Sequence, residues 1–118
     1  MGTLAIQIRS GTMMNMDTNV VVKLARAALD KGHSVKVFGY GEGVTLIKAG
    51  QDPKRFPNVG ELTAELVGRG AEVIVCNTCT TARGIKRGEE IAGTVIGSIT
   101  NDFSRFVSES DRLITIAR

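Results

Sequence analysis

The chain has 118 residues, 42% of them hydrophobic and 23% charged, and its 15 Lys and Arg against 12 Asp and Glu leave a net charge of +3. That length suits one domain, residues 1–118, with enough apolar chain for a core, and it excludes intrinsic disorder and collagen-like or Pro-rich architectures. Charges of both signs alternate along the chain with no basic stripe, so direct nucleic-acid binding is not expected.

Leu4-Ala5-Ile6-Gln7-Ile8 reads as a first strand. Asp17 or Thr18 is placed to cap a helix whose Val21, Leu24, Ala25, Ala28 and Leu29 share one face, with Gly32 at its C-terminal stop. Val35-Lys36-Val37-Phe38 reads as a second strand, followed by a short helix over Val44–Ala49 that Gly50 ends. Gln51–Pro57 holds both prolines and reads as a loop. Asn58 and Glu61 have capping-box spacing, and the helix behind them carries Val59, Leu62, Leu66 and Val67 as far as Gly70.

Glu72-Val73-Ile74-Val75-Cys76 reads as a third strand, and its unbroken apolar run suits burial on both faces. Thr94–Gly97 gives a fourth strand, Phe103, Phe106 and Val107 a last helix, and Arg112–Ile116 a closing strand. The alternation of strand and helix predicts an α/β fold, a three-layer α/β/α sandwich around a mostly parallel five-stranded sheet. Chemistry in such sheets gathers at the carboxyl ends of the strands, which directs attention to the residues after Ile8, Phe38 and Cys76.

The chain's two cysteines, Cys76 and Cys79, lie together at the third of these ends. A thiol where a strand runs into a helix N-terminus meets unpaired N–H groups that favour the thiolate, and Arg83 lies within a turn or two. Thr78 is among the capping residues there. Cys76 and Cys79 are therefore candidate catalytic residues, with Glu42, Thr78 and Arg83 in support, Glu42 as a proton acceptor facing Cys76. The competing reading is a pair of small buried residues. A zinc site is short of ligands, since one Cys-x-x-Cys supplies two and His33 is the only histidine. A thioredoxin-like pair fits the spacing but lacks flanking Trp or Pro.

Gly39-Tyr40-Gly41-Glu42-Gly43 is neither a dinucleotide fingerprint nor a Walker loop, and reads as a backbone turn at a strand end. Arg9–Thr12 is a turn with the residue types of an anion site. Met13, Met14 and Met16 read as gap-filling core, with a flexible partner surface as the other option. No run approaches the roughly 20 apolar residues of a membrane span. The N-terminus has no basic segment ahead of its apolar run, so a cytoplasmic protein with reduced thiols is expected.

Cys76-Asn77-Thr78-Cys79-Thr80-Thr81-Ala82-Arg83-Gly84-Ile85 resembles the DsrE/DsrF-like family, above all its YchN-like branch. Leu29–His33, Glu42–Val44, Gly97-Ser98 and Ser110–Ile116 extend the likeness through the chain. The resemblance implies a small cytoplasmic sulfur-relay protein that needs no cofactor and no metal. It implies assembly as a homotrimer or homohexamer, with a sulfur-donor and a sulfur-acceptor protein as partners. In relay members such as the DsrEFH and TusBCD complexes one cysteine after the third strand carries a persulfide, and the matching position is Cys76. Cys79 matches a second cysteine that TusD-like proteins lack, so its role stays open between resolving a persulfide, pairing with Cys76 and packing. The alternatives are a non-catalytic oligomeric interaction protein, or a dithiol redox or metal module using both cysteines.

Overall fold

The computed structural model describes residues 1–13 and 15–117, so Met14 lies outside the described residues. Five strands form one sheet: β1 (Thr3–Ile8), β2 (Ser34–Gly39), β3 (Glu72–Cys76), β4 (Val95–Gly97) and β5 (Arg112–Ile116). Their order is β4-β3-β2-β1-β5, and each pairing is parallel. Helices α1 (Asp17–Asp30) and α2 (Val59–Gly68) carry the chain from β1 to β2 and from β2 to β3. A short α3 (Asn77–Ala82) follows β3, and α4 (Ser104–Glu109) returns the chain from β4 to the far side of β1. Because that return runs against the direction of the first two crossovers, a right-handed connection puts α4 on the opposite face.

The strand pattern explains the two half-cores. Ile8 of β1, Val37 of β2 and Val73 of β3 meet Val21 and Val22 of α1 and Val59 and Leu66 of α2. On the other face Phe38 packs against Phe103 at 5.1 Å between centroids and against Phe106, edge-on, at 6.4 Å. Each of these side chains that is fully buried, as Phe38 and Phe106 are, contributes about 1.5–3 kcal/mol.

Several local expectations shift. The helix expected over Val44–Ala49 is a 3-10 helix that starts earlier, Gly41–Ile47. The sheet is wholly parallel, where a mostly parallel one was expected, and an isolated antiparallel bridge, Lys48 to Glu90, lies outside its strands. Neither Asp17 nor Thr18 is the cap of α1. Asp17 is its first helical residue, its N–H donates to Asn15 Oδ1 at 2.8 Å, and its carboxylate accepts the buried Ser10 hydroxyl at 2.6 Å. Asn58 does cap α2, accepting the Glu61 N–H at 3.0 Å. A π-type turn, Ile99–Phe103, precedes α4, and Ser98 accepts the Asn101 N–H at its start. Met13 and Met16 are exposed and do not fill the core.

Candidate functional site

The parallel register brings the ends of β2 and β3 side by side, with Gly39 opposite Val75. Cys76 ends β3 in extended conformation and is the N-cap of α3, and Cys79 is the third residue of that helix. N-cap and third-residue side chains meet over the first turn, the geometry by which capping boxes close. The two thiols accordingly lie on the same first turn, near enough for each to bear on the other's charge. Both are free, and both are buried, Cys76 at 4% and Cys79 at 9% exposure. Thr78 lies between them on the exposed side of α3, and the buried Thr80 hydroxyl donates to the Asn77 carbonyl at 2.8 Å.

The 3-10 helix leans on this turn through two ties. The Gly41 N–H donates to Cys79 Sγ at 3.2 Å. The Glu42 carboxylate accepts from Arg83 Nε at 2.9 Å and Nη2 at 2.6 Å, while Arg83 Nη1 donates to the Cys79 carbonyl at 3.0 Å. Glu42 is thus placed on Arg83, which it holds more firmly in the charged form, and its only described carboxylate contacts run to that guanidinium. Burial pushes the Cys79 thiol up from its ordinary range, against the Gly41 N–H and the Arg83 charge, which pull it down.

The sequence singled out the Gly-rich stretch only as a turn, and missed that Gly41 donates to a thiol. It occupies the left-handed region at φ +60°, which turns its N–H toward α3 at no steric cost. Gly43 is dictated by contact: a Cβ there would collide with the Ile8 carbonyl. Glycine at alternate positions was the available signal, and the partner of the turned N–H was not in it.

His33 stands before β2, at the amino ends of the strands, where its Nδ1 accepts the Gly2 N–H at 3.1 Å. It is therefore remote from the thiols. Among the described residues no group of three or more His, Cys, Asp and Glu side chains comes together to hold a metal ion. No helix among them is long and apolar enough to cross a membrane.

The DsrE/DsrF-like family model matches residues 4–116. Two archaeal relatives, both named only as uncharacterized, are similar over most of the chain. MK0008 of Methanopyrus kandleri is 38% identical over 93 residues, covering 79% of this chain and 76% of its own. MJ0989 of Methanocaldococcus jannaschii is 36% identical over 94 residues, covering 80% and 82%. The crystal structure of the ychN protein from E. coli superposes with a TM-score of 0.89 at 23% identity, covering 98% of this chain and all of that one. MTH1491 of Methanobacterium thermoautotrophicum, a protein of unknown function, follows at 0.80 and 16%, with 98% and 100% covered. These structural likenesses carry the fold.

Proposed function

The chain belongs to the DsrE/DsrF-like family, and from that premise we propose that it is a cytoplasmic sulfur-relay protein that accepts sulfane sulfur on Cys76 and passes it on. The observation that carries the reading is the pair of free thiols at the β3–α3 junction, on one helical turn and with Cys79 tied to the 3-10 helix. A carrier thiol attacks the terminal sulfur of a donor persulfide, and later an acceptor thiol attacks the sulfur it holds. Cys76 is the carrier because it is the residue at the strand end that matches the family's persulfide position. Its burial suits a bound sulfur that must be shielded from water and oxidants, and loading then requires the 3-10 helix to yield.

Donor and acceptor proteins are the partners of this reading, and the chain acts as a homo-oligomer. The unpaired edge of β5 supports self-association: Leu113 and Ile114 are 43% and 38% exposed there, and Val107 on α4 is also exposed. Apolar side chains beside an open strand edge suit burial against another protein chain.

The test is the intact mass of the reduced protein after incubation with a cysteine desulfurase and cysteine. A reductant-reversible gain of one sulfur is expected in the wild type and in Cys79→Ser, and none in Cys76→Ser. The low exposure of both thiols favours one competing reading, in which they only pack and the protein serves as an oligomeric scaffold. Under that reading no chain gains sulfur, and each cysteine substitution acts on thermal stability alone.

A further inference from the structure

Cys79 is the part of the site that a one-thiol carrier does not need. We propose that Cys79 is a resolving thiol: when Cys76 holds a sulfane sulfur and no acceptor arrives, Cys79 discharges it as hydrosulfide and leaves a Cys76–Cys79 disulfide. This rests on the relay reading above.

The step balances within the chain. The Cys79 sulfur attacks Cys76 Sγ, the new Sγ–Sγ bond forms, and the Sγ–S bond to the outer sulfur breaks with its electron pair going to that sulfur. The outer sulfur leaves as HS⁻, reduced, and the two cysteine sulfurs are oxidised together. The Cys79 proton passes to solvent or to the leaving sulfide, and no outside oxidant enters.

Three observations support it. Cys76 and Cys79 occupy the N-cap and third positions of one helix, so the attacking and attacked sulfurs share its first turn before any sulfur is loaded. Such proximity makes the internal reaction compete with any external acceptor. The Gly41 N–H on Cys79 Sγ is placed to stabilise the thiolate that attacks. The site is also closed to bulk thiols, both sulfurs being buried, so a loaded Cys76 meets Cys79 ahead of any solute.

The same environment makes the reaction slow near neutrality. Burial holds Cys79 mostly as the thiol, and the thiolate is the nucleophile. A loaded chain therefore keeps its sulfur long enough for an acceptor to dock, and the discharge quickens as pH rises toward the elevated value of Cys79.

The experiment loads the reduced chain with inorganic polysulfide, removes the excess without reductant, and follows intact mass and released sulfide over time. In the wild type the added sulfur is expected to disappear as sulfide is released. The product is two hydrogens lighter than the reduced chain, and a peptide map links Cys76 to Cys79. The decay is faster at mildly alkaline pH than at neutral pH. Cys79→Ser is expected to hold its sulfur at least ~10-fold longer at both pH values. Cys79→Ala serves as a second variant should a serine hydroxyl disturb the buried site. A wild type that retains its sulfur as long as these variants, with neither sulfide nor disulfide formed, overturns the inference and leaves the relay standing. Absence of loading in both wild type and Cys79→Ser overturns the relay reading, and this inference with it.

Discussion

Two clusters of glutamate and arginine sit at different places in the molecule, and they do different work. Across the α4 face Glu72 of β3 takes Lys36 Nζ of β2 at 2.8 Å and Arg105 of α4, and Arg105 also reaches Glu109 at 3.1 Å. Lys36 and Arg105 both lie over the Phe106 ring, at 5.4 and 5.1 Å from its centroid. Four charges and a buried ring thus bind one helix to two strands. At the thiol end a single pair, Glu42 and Arg83, joins the 3-10 helix to α3, with half of the Glu42 side chain open to solvent. A network of four charges around the 16% exposed Lys36 is harder to open than one pair whose carboxylate is half in solvent. The chain has its stronger clamp over the α4 layer and its weaker one beside the thiols.

The largest test removes the floor of the strong clamp. Phe106 is fully buried, so Phe106→Ala is expected to cost about 3–5 kcal/mol in denaturant unfolding. A loss below 1 kcal/mol would show that α4 is not part of the cooperative core. Next comes Glu72→Gln, which deprives Lys36 and Arg105 of their shared anion. Solvent screens the 39% exposed Glu72 side chain, so the expected loss is about 1 kcal/mol.

The pH dependence sharpens that result. Hydrogen bonds and charge from Arg105 and Lys36 hold the Glu72 carboxyl below its ordinary range, against the opposing effect of burial. A carboxylate with a depressed folded value contributes stability that is complete above its unfolded value, about 4.3 for glutamate. It is lost as pH falls through the lower folded value. Wild type and Glu72→Gln should therefore differ at neutral pH and converge in acid melts; a constant gap would remove Glu72 as the cause.

The smallest effect on stability belongs to Glu42→Gln, expected within about 0.5 kcal/mol. Its effect should instead appear in native-state alkylation, where Cys79 reacts several-fold faster once Arg83 no longer holds the 3-10 helix. Added salt should speed alkylation of the wild type and leave the variant unchanged. Equal rates in both proteins would mean that the pair does not limit access.

The strands could be read from the sequence because their determinants are local: Val73-Ile74-Val75 is buried in β3 as its run of apolar residues predicts. The thiol pair was legible for the same reason, being one turn of chain. What could not be read depends on distant residues. The 3-10 helix begins at Gly41 because Gly43 must clear the Ile8 carbonyl and Gly41 must face Cys79, contacts set by sheet register. Glu42 looked free to serve Cys76, and its real partner Arg83 lies 41 residues along the chain. Asp17 looked like a cap, and was drawn instead into a buried hydrogen bond with Ser10.

The sheet order has a consequence for synthesis. β1 lies between β2 and β5, so its outer edge is completed by the last of the sheet's five strands in chain order, Leu4 against Arg112 through Ile8 against Ile116. At about 5–20 residues per second, that edge waits on the order of 5–20 s after β1 has emerged. During the wait the nascent chain displays a row of unpaired amides beside Ala5, Ile6 and Ile8, a template on which neighbouring nascent chains can pair. The β1 edge therefore stays open to such pairing until β5 docks on it.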